Sequence, residues 1–358
     1  MTLEAVARLA GVSTATVSRV LTGKSGVRPE TVQAVELAVK DSGYASPRQR
    51  RRRTGGGPSD RQDRTPISAF ALVVPMLSER IFVTLHDTFS NASHETRHQV
   101  LVCDTQNDVY RQADEILQLL HKRVAGVALV PVDTRPTPVS HIEALQQAKI
   151  PVVLLHRGVE GVEAPLVELP LRQVGYAAGR TLAEHGHRRI SFFGTAHGGS
   201  SDLGQAGLEQ ALSESQLRLD ESQISLCDAS LTSAMKQSVD KWLDAVLAMP
   251  SVERPTAAFA PYYPYAEIIY ISAMQRGVRI PEDLSLVSFA DRDREWAVVR
   301  NITTFHIDES QVGRLAVKLL GEMNDGVLPI RLDQHTMIEL SPPQGDTLQR
   351  LVGNVIGV

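Results

Sequence analysis

The chain has 358 residues, 42% of them hydrophobic, and a formal net charge of -4, enough length and apolar content for more than one packed domain rather than a disordered or fibrous chain. The charge is unevenly spread: residues 1–64 carry 12 Lys/Arg against 6 Asp/Glu, a net of +6, which leaves -10 for the remainder and describes a polyanion-binding head on an acidic body. Cys103 and Cys227 are too few for a disulfide framework or a zinc site, no stretch approaches the ~18 apolar residues of a membrane helix, and no signal peptide precedes Ile67, so a cytoplasmic protein without metal or cofactor is expected.

Thr2 to Leu21 reads TLEAVARLAGVSTATVSRVL, two short apolar-periodic segments flanking Gly11-Val12-Ser13. Leu3, Val6, Ala7 and Ala10 share one face of the first helix. In the second, Val17, Val20 and Leu21 turn inward and Thr14, Ala15, Ser18 and Arg19 outward. Gly11 permits a tight turn, and Ser13 is placed to cap the second helix. Two helices on such a turn form a helix-turn-helix, whose second helix enters the DNA major groove. A solvated face would carry Glu and Lys. Small hydroxyl and methyl groups instead let a helix sit against base edges, while Arg19 can fork onto a guanine or a phosphate. The candidate DNA-contacting residues here are Leu3, Ser13, Thr14, Ala15, Thr16, Ser18, Arg19, Thr22, Arg28 and Thr31. Pro29 opens a third helix with Val32, Val35 and Val39 inward, Gly43 ends it, and the head is assigned to residues 1–45.

Residues 46–66, with Arg48 and the run Arg50-Arg51-Arg52-Arg53 before Gly55-Gly56-Gly57, cannot bury a core and read as a linker. Behind a DNA-reading head, Arg50, Arg51, Arg52 and Arg53 are expected to neutralise phosphates or enter the minor groove.

From Ile67 onward, apolar runs alternate with helical patterns. The expected order is strand Phe70–Val74, helix Leu85–Arg97, strand Val100–Cys103, helix Glu115–His121, strand Val127–Val130, helix His141–Gln147 and strand Val152–Leu155. The alternation restarts with helix Val174–His185, strand Ile190–Phe193, helices Leu203–Ser213 and Ala234–Met249, strand Thr256–Ala260, helix Tyr265–Gln275 and strand Leu284–Phe289. Continuous Val/Leu/Ile runs between helices argue for parallel sheets covered on both faces. The fold class is therefore α/β: an all-helical head, then a two-subdomain core of the periplasmic-binding-protein type.

Ala10 to Leu21 resembles the helix-turn-helix of the LacI/GalR family of bacterial transcriptional regulators. The similarity continues through Val27–Thr31, Ser42-Gly43-Tyr44, Ala71–Pro75, Ile150–Leu154, Gly186–Ile190, Arg279–Ser285 and Val312-Gly313-Arg314. It implies a regulator, by family a repressor, that binds a palindromic double-stranded DNA operator as a homodimer pairing through the first core subdomain. It also implies a core over residues 67–345, with subdomain one about 67–158 and 291–320, subdomain two about 160–289 and 321–341, and a tail over 346–358. His187-Arg188-Arg189 is expected to be an exposed loop before a strand.

Two departures stand out against that family. Its hinge leucine, which wedges into the minor groove, is replaced by Arg53 counting from Tyr44 or by Arg52 counting back from Thr54-Gly55, and an arginine does not unstack a base step as an apolar wedge does. Its polar cleft residues are also lost: His156-Arg157 stands for Asp-Arg, Leu169-Pro170 for Asp-Asn, Gly204 for an arginine, Tyr262-Tyr263 for Asn-Asp, and Ala290-Asp291 for Asp-Asp. The remaining candidate effector-binding set is Phe82, His156, Arg157, Tyr262, Tyr263, Tyr265 and Asp291. A typical sugar is disfavoured by such a lining, which suits a more aromatic small molecule; alternatively the tyrosines pack the cleft shut and no effector binds. An enzyme is disfavoured by the lack of a nucleophile elbow, phosphate loop or metal spacing, and a free-standing periplasmic binder by the Ala10–Leu21 stretch.

Overall fold

The computed structural model describes Ala7, residues 10–21, 31–32, 34–35, 38, 68–195, 199–227, 232–291 and 301–351. The chain forms two compact units, residues 1–65 and 66–358.

In the first unit, helix α1 (Thr14–Leu21) follows a turn in which Gly11 takes φ 64°. Val17 and Val35 are fully buried with Ala7 and Ala38, and Ala10, Val12 and Val20 pack around them. The inward stripe read from the sequence is thus the seam of this small core.

The second unit runs, in chain order, β1 (Ala69–Val74), α2 (Arg80–Glu95), β2 (Gln99–Asp104), α3 (Val109–Lys122), β3 (Gly126–Leu129), α4 (Val139–Gln147), β4 (Val152–His156) and β5 (Leu166–Glu168). It continues through α5 (Leu171–Glu184), β6 (Ile190–Thr195), α6 (Gly199–Glu214), β7 (Ile224–Cys227), α7 (Thr232–Ala248), β8 (Ala257–Ala260), α8 (Tyr263–Gln275) and β9 (Ser285–Asp291). Last come β10 (Thr303–Ile307), α9 (Glu309–Asn324), β11 (His335–Met337) and β12 (Ser341–Gln344). One sheet has the order β11-β5-β4-β3-β1-β2 and is parallel throughout. The other has the order β12-β10-β9-β8-β6-β7 and is parallel except for β12, which runs against β10.

Central strands such as β1, with all six residues of AFALVV buried, show why the apolar runs are unbroken: helices cover both faces. The helices carry local start signals. The Asp108 carboxylate accepts from the Tyr110 and Arg111 amides to cap α3, and Asp308 accepts from the Ser310 amide to cap α9. In the second lobe α5 and α6 pack almost backbone to backbone. A Cβ on Gly175 would stand 1.9 Å from the Gly204 carbonyl oxygen, and one on Gly207 would stand 2.0 Å from that of Arg172. Neither position accepts a side chain without parting the helices.

Strand pairing shifts the lobe boundaries expected from the sequence. β5 stays in the first sheet, so the chain first crosses at Leu169-Pro170 rather than near residue 159. β10 belongs to the second sheet and α9 packs whole against α2 and β4, so the second crossing is at Asp308 rather than near 290. The third lies between β11 and β12, near 340 rather than 320. The reason is physical. β5 and the edge strand β11 beside it are only three residues long, with no apolar run to read, and β10, Thr-Thr-Phe-His-Ile, hides its polarity in local bonds.

Those bonds also overturn the expected tail. The Thr303 amide donates to Thr347 Oγ1 at 2.7 Å, the Thr347 amide donates to Thr303 Oγ1 at 3.0 Å, and Thr347 Oγ1 donates to the Leu286 carbonyl at 2.6 Å. The Leu351 amide reaches the His185 carbonyl, so residues 346–351 are part of the second lobe. His187, expected to be exposed, is fully buried there between Thr256 Oγ1 (3.0 Å) and the Gln349 carbonyl (3.2 Å). Burial pushes its imidazole down to about 4. Arg188 keeps the exposed position expected of it.

Candidate functional site

In the head, Ser13 caps α1 as its sequence position suggests: its Oγ accepts from the Thr16 amide at 3.2 Å and lies 2.9 Å from Thr16 Oγ1. Thr14, Thr16 and Thr31 are half-buried. With Val17 fully buried, positions 15 and 19, two residues to either side, fall on the opposite face by helical register. For Ala15, Ser18 and Arg19 only the backbone is described, and Leu3, Thr22, Arg28, Arg50, Arg51, Arg52 and Arg53 lie outside the described residues.

In the core, the candidate cleft residues sit where parallel strands end, the ordinary place for a site in an open α/β sheet. β4 ends in His156, held in the left-handed region at φ 64°. The Arg157 amide closes back on the Leu155 carbonyl at 2.8 Å, and the Leu169 amide of the first crossing donates to the His156 carbonyl at 3.2 Å. A non-glycine residue in this conformation is held by its surroundings. Its side chain shows how. His156 Nε2 donates to Glu309 Oε1 at 2.6 Å with both side chains buried, and the Phe82 ring stacks on the imidazole at 5.6 Å between centroids. Arg157 Nη1 pairs with Asp133 Oδ2 at 2.9 Å, and Asp133 is held from behind by Asn107 Nδ2 at 2.6 Å.

From the second lobe, Tyr262 precedes α8 and lies near the carboxyl of Glu79, which precedes α2 in the first lobe. Glu79 occupies the N-cap position of α2, yet its side chain makes no capping bond. Burial and the nearby Asp133 carboxylate raise the Glu79 carboxyl above its ordinary range, while Arg157, the Tyr262 hydroxyl and His156 pull it down. Burial, with Glu79 beside it, likewise raises the Tyr262 phenol.

The structure therefore brings Phe82, His156, Arg157 and Tyr262 together and removes two others from the lining. Tyr265 is 1% exposed in the second-lobe core against Phe193, its hydroxyl bonded to Cys227. Tyr263 is buried in the same cluster. Sequence periodicity could not separate the three tyrosines, because they open a helix whose faces differ little in polarity. Asp291 closes β9, opposite Ile307, with only its backbone described. Glu79, Asp133 and Glu309 were missed. Scanning the residues just past each parallel strand would have found the first two; Glu309 lies far away in sequence, on a helix the apolar runs did not reveal. Gly204, where the family carries an arginine, is covered by Pro261 at ordinary contact distance, 3.6 Å from a built Cβ.

A helix-turn-helix head and a two-sheet core whose strand ends converge on one cleft define a DNA-binding regulator of transcription. Residues 2–46 match the model for bacterial regulatory proteins of the lacI family, residues 70–258 that for a periplasmic binding protein domain, and residues 179–338 that for a periplasmic binding protein-like domain. The chain belongs to the lacI family. It is 27% identical over 332 residues to the HTH-type transcriptional repressor PurR of Vibrio atlanticus (strain LGP32), covering 90% of this chain and 91% of that one. It is 26% identical to the catabolite control protein A of Priestia megaterium, covering 89% and 91%. Among solved structures it resembles the transcriptional regulator CelR in complex with cellobiose (TM-score 0.66, 23% identity, 97% of this chain and 100% of that one). It also resembles the lac repressor dimer bound to operator and the anti-inducer ONPF (TM-score 0.65, 19% identity, 96% and 98%). These relatives are transcriptional regulators, not enzymes. Among the described residues no helix is long and apolar enough to cross a membrane, and no group of His, Cys, Asp and Glu is arranged to hold a metal.

Proposed function

We propose that this chain is a repressor that binds a two-fold inverted repeat as a homodimer, with its hold on DNA set by how far the two core lobes close. The observation that carries the reading of the core is that its charged cleft side chains face groups of the same cleft: His156 bonds Glu309, and Arg157 forms an ion pair with Asp133. A sugar-recognising cleft needs unspent carboxylates, amides and Arg forks. Here the carboxylates of Asp133 and Glu309 face cleft side chains of the chain itself, and operator binding needs no sugar.

Pairing through the first lobe is supported by its exposed apolar side chains Val83, Val102, Tyr110 and Leu117, around the edge strand β2. One short recognition helix offers few base contacts, and doubling it supplies specificity. A second reading, in which an aromatic ligand slips between Phe82 and Tyr262, is favoured by the Phe82–His156 stack. The test is a gel shift with an inverted repeat selected from random DNA, run with and without cellobiose, together with sedimentation of the complex. Two chains per site and an affinity indifferent to the disaccharide are expected. One chain on a full palindrome, or release by the sugar, would overturn the reading. In the same assay Arg19→Ala is expected to cost ~1–3 kcal/mol and to relax preference at one base pair.

A further inference from the structure

We infer that His156 is a tethered ligand: its imidazole does the work of a bound effector by fastening together the segments that join the two lobes. Its effect on DNA rests on the reading that the setting of the lobes governs operator binding, and it adds what fixes that setting. The chain crosses between the lobes at Leu169-Pro170, at Asp308 and near residue 340. On the first-lobe side these crossings are stitched side by side. The Glu168 carbonyl, just before the first crossing, accepts from the Ile338 amide of the third at 3.0 Å. The His156 carbonyl accepts from the Leu169 amide of the first at 3.2 Å. The His156 ring reaches Glu309 Oε1, one residue past the second, at 2.6 Å. Two of these joints are backbone bonds. The joint that brings in the second crossing is made by side chains.

The two bonds of His156 depend on one another. At φ 64° a non-glycine residue stays left-handed only while its surroundings hold it there. The holding groups are the Phe82 ring, stacked on the imidazole, and the Glu309 carboxylate, both buried. Without that grip the residue relaxes to the β region, and its carbonyl turns from the Leu169 amide. The first and second crossings are then released together.

A ligand sets a hinge by binding one arrangement better than the others. The groups around the His156 ring have the make-up of such a site: a planar heteroaromatic lies against a phenyl ring and gives its N–H to a buried carboxylate. Here the heteroaromatic is carried on β4 itself, so one lobe setting is held without any small molecule. Removing the ring spreads the lobes over many settings, and operator affinity falls by the fraction that remains competent.

The test is His156→Gly in the full chain, read with and without added imidazole. Glycine permits φ 64° without enforcing it, and the lost ring leaves a hole of imidazole shape beside Phe82 and Glu309. Native-state hydrogen exchange follows the Leu169 amide at the crossing and the Val130 amide, bonded to the Val73 carbonyl inside the first sheet. Exchange at Leu169 should quicken about tenfold more than at Val130, and imidazole should reverse the difference. His156→Asn also accepts the left-handed backbone but is too short to reach Glu309. It should loosen Leu169 alike and ignore imidazole, which keeps the idea testable if the glycine variant folds poorly. Glu309→Gln keeps an acceptor and should retain the native pattern. Equal acceleration at both amides, or a Leu169 loss in His156→Gly that imidazole leaves unrelieved, would overturn the tethered ligand. Operator affinity, expected to fall about tenfold in His156→Gly and to return with imidazole, reads a separate matter. Exchange that responds while affinity stays put would uphold the tethered ligand and refute the coupling of lobe setting to DNA.

Discussion

Replacing Glu309 with alanine tests whether the His156–Glu309 pair anchors the core. The two side chains are 4% and 0% exposed and meet at 2.6 Å, so water cannot substitute for the lost carboxylate. The change strands the His156 Nε2–H in a dry site. Breaking one side of a buried pair costs about 3–5 kcal/mol, which at ~2 °C per kcal/mol in a chain of this size is a fall in Tm of about 6–10 °C. Glu309→Gln keeps an acceptor of the same length and gives up only the charge assistance, about 1 kcal/mol. His156→Ala combined with Glu309→Ala should cost little more than Glu309→Ala alone, because the second change removes a group already without its partner. Urea unfolding followed by circular dichroism, with m-values compared, supplies the four corners of the cycle. A cost below about 1 kcal/mol for Glu309→Ala, or single costs that simply add in the double variant, would refute the reasoning.

Gly207→Ala should part α5 from α6 and cost about 1–3 kcal/mol or more, seen as a lower urea midpoint, since the added Cβ meets a backbone carbonyl rather than a movable side chain. His187 titrates at about 4 in the folded chain, below the ordinary value of 6.5, so between those values the unfolded chain binds the extra proton and stability falls as pH drops. Its replacement by Asn should flatten that acid limb in thermal melts taken from pH 7 to pH 4. Changing Arg50, Arg51, Arg52 and Arg53 together to Gln should lower the slope of log affinity against log salt by up to ~3–4 if each arginine neutralises one phosphate, and an unchanged slope would remove them from the interface.

What could be read from the sequence follows from which forces leave a periodic trace. Burial does: Phe70–Val74, Val152–Leu155 and the inward residues of the head announce themselves, because every position of a strand covered on both faces, and every third or fourth of a helix, must leave water. Three-residue strands do not, since backbone pairing fixes β5 and β11 regardless of side chains. The cleft was legible in part for the same reason. His156-Arg157 stood out by departing from the family's Asp-Arg, whereas Glu309, 153 residues away, is tied to it only by the topology that returns α9 to the first sheet. Tyr265 was misread because an aromatic at a helix start looks alike whether it faces a cleft or a core.

The double return of the chain has a consequence for biosynthesis. The first sheet lacks an edge strand until His335–Met337 has been made, and the second lacks the Thr347 bonds to β9 and β10 until the ribosome is nearly at Leu351. The helical head has no such debt, because its buried contacts lie within the first forty residues. A nascent chain therefore presents a folded DNA-reading head ahead of two incomplete sheets, whose open apolar edges are hazards for aggregation. Translational pauses beyond Gln344 should be better tolerated than pauses between Ile307 and His335, where both sheets still wait for a strand.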